Sequence, residues 1–182
     1  MKTESLSLID SLTELTERHL RELARLQSLD AHRLNQKPAP GAWSALECAE
    51  HLRRYLGFYV PEIRRAIGSS SHPFSAEFRS GWLGNYFAMS MWPKEKPNPM
   101  RTFKAMNPEG SALSAQVLDE LTAQLKELLE LLQAARSVNL QKTRTAITIS
   151  SWITLRLGDT LRFVIFHHER HLRQAFRAAG LE

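Results

Sequence analysis

The chain has 182 residues, a formal charge of +5 and a pI near 9.7, with 43% hydrophobic and 24% charged residues. That length and composition predict one soluble globular domain over 1–182, and no run of about 18 apolar residues offers a membrane span. A single cysteine, Cys48, excludes an intrachain disulfide framework and fits a reducing compartment. The opening "MKTESLSLID" has no apolar h-region, so the expected location is the cytoplasm. Lys and Arg are spread along the chain and often sit beside Glu, as in "TERHLREL". The charge therefore reads as a solvated surface, with no nucleic-acid partner.

The first predicted helix runs from about Leu6 to Leu29, where Ile9, Leu12, Leu20, Leu23 and Leu26 recur at helical spacing. "NQKPAPG" then breaks the chain. The second helix is predicted from Ser44 to about Ile67. Ser44 and Glu47 form a capping box, Trp43 is placed as an apolar staple, and Pro61 is a site of bending. The stretch 68–110 has five of the eight prolines and several large apolar residues, among them Trp82, Trp92 and Phe103. It reads as a long crossover loop with room for one short helix in "FSAEFRSGWLGNYFAMSMW" and an extended segment in "PKEKPNPMRTFKAMNP". Its aromatic residues could wall a pocket or form a homodimer contact.

A third long helix is predicted from Ser111 or Ser114 to about Arg136. Leu113, Val117, Leu121, Leu125, Leu128 and Leu132 form its stripe. The β-branched "TAITIS" and "WIT" point to a short extended piece without requiring a sheet. The last helix runs from Gly158 or Asp159 to about Ala179, with Gly180 as its stop. The fold class is all-α: a four-helix bundle with a long crossover between the second and third helices.

The last helix places three of the seven histidines within five residues, in "FVIFHHERHLRQ". His167 and His171 are four apart and project from one face, the spacing by which a helix offers two imidazoles to one metal ion. His168 lies nearer the centre of the apolar arc, so a His168–His171 pair would fit an ion as well. A third ligand is offered by His51 in "CAEHLRRY", with Cys48, Leu52 and Tyr55 on its face. Cys48 reads as a small core residue, or as a fourth ligand. His19, set among charges, and His72, in the Ser/Pro loop, are weaker candidates.

"PAPGAWSALECAEHLRRY", followed by "PMRTFKAMNP" and, near the end, "HHERHLRQ", resembles the DinB-like family over about Leu6 to Leu181. The resemblance implies a four-helix bundle binding a divalent metal through three histidines; three imidazoles suit zinc, nickel, copper or iron, with zinc or nickel the expected ions. One comes from the second helix and two, four apart, from the last; these positions fall on His51, His167 and His171. Characterised members of the family include thiol S-transferases, and the family is associated with stress-induced expression. The implied activity is a metal-dependent reaction in which a low-molecular-weight thiol attacks an electrophile. A hydrolase on the same three-histidine site and a non-catalytic binding protein are the alternatives. Tyr55, one turn beyond His51, is the candidate catalytic residue as proton donor or orienter, against the alternative of a core tyrosine with a satisfied hydroxyl. Arg170, Arg173 and Arg177 could meet carboxylates of the thiol, against the alternative of a solvated helix face.

Overall fold

The computed structural model describes residues 1–93 and 102–181, with the backbone alone for Ser151. Part of the predicted extended segment "PKEKPNPMRTFKAMNP" lies outside the described residues. Among the described residues, six α-helices carry the fold: α1 (Ser5–Gln27), α2 (Ala31–Asn35), α3 (Ala45–Gly68), α4 (Trp82–Met91), α5 (Gln116–Ala135) and α6 (Leu157–Ala178). The four long ones form the expected bundle. α3 and α1 each pack against both α5 and α6, which puts α1 and α3 at opposite corners. Leu12, Leu23 and Leu26 of α1, Leu52, Leu56 and Ile63 of α3, Leu121, Leu125 and Leu128 of α5, and Leu161 and Leu172 of α6 are all buried in one core. Burying such stripes supplies the main drive for folding, at about 25 cal/mol per Å² of apolar surface.

The start of α3 follows directly from its sequence. Ser44 Oγ accepts from the Glu47 backbone N–H at 3.2 Å, and Glu47 Oε2 accepts from the Ser44 N–H at 2.8 Å. This reciprocal cap satisfies two donors that a helix start leaves open. Pro61 is accommodated within α3, which runs on to Gly68. α6 ends where Gly180 takes a positive φ of 65°, a conformation glycine adopts without strain.

Four short strands are added to the helices among the described residues. β1 (Lys2–Glu4) pairs antiparallel with β2 (Glu77–Arg79), and β3 (Arg144–Ile147) pairs antiparallel with β4 (Ser150–Arg156). The hairpin realises the extended piece expected from "TAITIS" and goes further, since it is a paired ladder. Its inward residues are Thr145, Ile147 and Leu155, all buried. Thr145 shares a 2.6 Å hydroxyl hydrogen bond with Thr160 of α6, and the Ala146 N–H donates to Glu62 of α3 at 2.6 Å. Packing on two helices holds a hairpin too short to be stable alone.

The crossover is more structured than a loop. α4 packs on α6 through a buried polar knot. Asp159 accepts from Ser80 Oγ and, at 2.8 Å, from the Gly81 N–H. Arg162, 2% exposed, reaches Asp159 at 3.3 Å and Asn85 Oδ1 at 3.1 Å. Gly84 is required by this approach: a Cβ there would overlap the Asp159 side chain. The helix fixed in this way carries Met91 to the edge of the site.

Candidate metal centre

His51 projects from the middle of α3, and His167 and His171 project from α6, into one space at the α3–α6 interface. His51 and His167 are 2% and 4% exposed, and His171 is half-buried. The three ring centroids lie 4.6–4.9 Å apart, and one nitrogen from each ring lies within 4.8 Å of the other two. His51 Nε2 and His167 Nε2 are 3.1 Å apart.

Two partners set the orientation of these rings. His51 Nδ1 donates to the Met106 carbonyl at 2.8 Å, which leaves its Nε2 as a lone-pair donor. His171 Nδ1 donates to Gln174 Oε1 at 3.0 Å, with the same result. Hydrogen bonds of this kind fix the tautomer of metal-ligating histidines. Burial lowers the proton affinity of all three. His51 is pushed down to about 4 by burial, with the nearby Arg54 charge acting in the same direction against the Met106 hydrogen bond. His167 and His171 are held well below the usual range, first by burial and then by the other histidines. The imidazoles are therefore neutral at pH 7, the form that binds metal.

The donor set fits a divalent ion. Two nitrogens at 2.0–2.1 Å from a tetrahedral centre are about 3.3 Å apart, close to the observed His51–His167 separation. Two bare lone pairs at that distance repel each other, and a cation between them, or a proton on His167, removes the conflict. The three rings form the floor of a cavity of about 350 Å³ that opens outward. Three ligands and an open side match catalytic sites, whereas structural sites are closed by four.

Around the floor stand Trp43, Tyr55, Met91, Phe103, Arg170 and Gln174. The Trp43 ring is 4.9 Å from His51 and 5.9 Å from His171, so the residue expected to staple α3 also walls the cavity. Tyr55 lies 4.5 Å from His167 and 4.9 Å from His51, centroid to centroid. Burial, with Tyr59 beside it, raises its hydroxyl to about 12, so it remains protonated.

Other candidates are placed differently. Cys48 is fully buried in the core, and burial drives its thiol well up. It is not among the converging nitrogen donors. His168 is 0% exposed and turns away from the cavity, its Nδ1 bonded to the Val164 carbonyl at 2.8 Å. Arg170 lines the cavity, Arg173 is tied to Glu169 at 2.7 Å, and Arg177 is exposed. Phe103 walls the cavity; Trp82 is 85% exposed, and Trp92 packs edge-on against Phe166. His72 is exposed in its loop.

His19 is the residue that sequence reasoning undervalued. It is 0% exposed, its Nε2 lies 3.0 Å from Glu169 Oε2, and its ring stacks 6.2 Å from His168. Thr16, His19, Leu23 and Leu26 are all buried at helical spacing, a stripe that reveals its burial. Glu169 also receives Arg18 at 2.5 Å and Arg173 at 2.7 Å. Burial alone would raise its carboxyl, but hydrogen bonds from His19, Arg18 and Arg173 outweigh that and hold it at about 2. His19, Glu22 and Glu169 also bring ligand atoms within 4.8 Å of one another, but two arginines already neutralise Glu169 and disfavour a cation there. This network braces α6 against α1 behind the three histidines.

The model of the DinB superfamily matches residues 12–175. The chain belongs to the DinB superfamily. The match spans all four bundle helices and includes His51, His167 and His171, so the DinB assignment and the three-histidine cluster cover the same region. No curated protein and no solved structure matches the chain. Among the described residues, no helix of this DinB-superfamily chain is long and apolar enough to cross a membrane.

Proposed function

We propose that this DinB-superfamily chain is a metal-dependent thiol S-transferase, with His51, His167 and His171 as ligands to a divalent ion, zinc or nickel. The observation that carries this reading is the convergence of three neutral imidazoles on the floor of an open cavity. A divalent ion held there ionises a thiol or water at neutral pH.

The protein's own residues supply the rest. Met106 and Gln174 keep the ligand nitrogens aimed at one point. Arg170, at the cavity wall, offers a positive charge to a carboxylate of a low-molecular-weight thiol. Tyr55 holds its proton at neutral pH, so its hydroxyl can donate to a leaving group as the sulfur–carbon bond forms. In the balanced reaction that bond forms, the carbon–leaving-group bond breaks, the Tyr55 proton ends on the leaving group, and the proton released by the thiol restores the Tyr55 hydroxyl. Trp43, Met91 and Phe103 exclude water from the reacting pair.

The test is turnover of zinc- or nickel-loaded protein with a panel of small thiols and electrophiles. Thiol-dependent conjugation that disappears in His51→Ala supports the reading. Turnover of esters, amides or lactones without thiol would identify a hydrolase on the same site. Metal uptake with no reaction in either panel would leave a non-catalytic binding protein.

A further inference from the structure

A second cavity of about 160 Å³ adjoins the metal-site cavity, and the two share Tyr55, Met91 and Phe103 as a common wall. Its remaining surface is largely apolar: Tyr59, Phe87 and Phe163 from the helices, and Ile147 and Leu155 from the hairpin. Its polar groups are the two phenols, Tyr55 and Tyr59, and Thr148; the Tyr59 oxygen is directed at the Thr148 N–H at 3.5 Å. The buried side-chain polar atoms without partners among the described residues belong to His19, Gln124 and His168, none of which lines this chamber. Water held there would have few hydrogen bonds to make, so an apolar group displaces it readily.

The size and shape of the chamber are informative. A cavity of roughly 150 Å³ lined by apolar side chains holds a benzene ring. Phe163 sits edge-on to Phe87 at 6.4 Å and tilted to Tyr59 at 5.7 Å, so the walls offer both ring edges and ring faces to an incoming aromatic group. The polar cavity, with three histidines and Arg170, and the apolar chamber, under the hairpin, meet at Tyr55.

We propose that the electrophilic substrate is bipartite: a polar reactive head over the three histidines, and a benzene-sized apolar group in the chamber between α3, α6 and the β3–β4 hairpin. The assignment of the head rests on the metal-site reading above; the assignment of the tail rests on the chamber alone. Tyr55, at the junction, is then beside the bond that breaks. Leu155 and Ile147 set the length of the group accepted. The hairpin, held against α3 and α6 by Glu62 and Thr160, acts as the specificity element.

The experiment is a calorimetric titration of zinc-loaded protein with straight-chain hydroxamates from acetohydroxamate to octanohydroxamate, together with benzohydroxamate. The head is constant along the series and only the tail changes. The expected result is a gain in affinity of about threefold to fourfold per methylene until the chamber is full, with benzohydroxamate at least about tenfold tighter than acetohydroxamate. Leu155→Trp, which fills the chamber, should abolish the gain along the series. Acetohydroxamate binding with no dependence on tail length would overturn the bipartite substrate while leaving the metal site standing. Failure to take up zinc or bind any hydroxamate would overturn the metal-site reading and, with it, the assignment of the head. The series on the unaltered protein decides the matter even where Leu155→Trp does not fold.

Discussion

His51 of α3 and His167 of α6 bring their Nε2 atoms to 3.1 Å across the helix interface, while the far side of the His51 ring is bonded to the Met106 carbonyl at 2.8 Å. The ligand geometry therefore depends on the segment carrying Met106 as well as on the two helices. That segment is clamped by Arg54, which donates to the Asn107 carbonyl at 2.7 Å and to Ser111 Oγ at 3.2 Å while pairing with Glu50 at 2.6 Å.

Loosening either outer partner should weaken metal binding without unfolding the protein. Gln174→Ala removes the acceptor on His171, and Arg54→Ala releases the Met106 segment. Each is expected to lower zinc affinity by about 10-fold to 100-fold, the usual cost of losing a ligand's outer hydrogen bond. Competition with a chromophoric chelator measures it, with circular dichroism to verify the fold. Unchanged affinity in both variants would show that these contacts do not orient the ligands.

Tyr55→Phe keeps the ring and removes the proton. Metal content should be unchanged, while the rate of thiol transfer falls about 10²-fold to 10⁴-fold, the range for loss of a positioned acid. A rate equal to that of the unaltered protein would reduce Tyr55 to a wall of the cavity.

Acid should destabilise the metal-free protein in a defined window. His51 has a free value of 6.5 and is held at about 4 in the fold. Above 6.5 neither state is protonated and its full contribution is present. Below 6.5 the unfolded chain takes up a proton that the folded chain refuses until about 4, so stability falls with pH across that interval. His51 alone contributes ~2–4 kcal/mol of this loss. His168, held at about 3 by burial, acts in the same direction. Urea midpoints at pH 7.5, 5.5 and 4.5 in the presence of chelator should fall in that order, and a flat series would contradict the burial of neutral histidines.

Much of this was legible in the sequence. The capping box at Ser44 and Glu47 located the start of α3, the leucine stripe located α5, and the four-residue spacing of His167 and His171 pointed to two members of the three-histidine cluster. Helix periodicity alone could not choose between His167 and His168. The structure separates them because α6 is buried on more than one side: His167 faces α3 and the cavity, and His168 faces His19 of α1. The Met106 carbonyl was invisible because any residue carries a carbonyl, and its role comes from chain path. The hairpin was seen only as an extended tendency, since a short ladder is held by what it packs on, here Glu62 and Thr160.

The attachment of α4 gives a prediction about the fold. Gly84→Ala places a methyl group into Asp159 and should cost about 1–3 kcal/mol, since repacking would disturb the buried Asp159–Arg162 pair. Thermal unfolding should show a lowered midpoint. A midpoint equal to that of the unaltered protein would mean that α4 shifts freely on α6.

The most direct measurement is metal content by mass spectrometry on untagged protein purified without chelator, with His51→Ala and His171→Ala alongside. The expected result is about one divalent ion per chain, lost in both variants. No zinc or nickel bound after dialysis against either, or metal retained in both variants, would contradict a site built from His51, His167 and His171.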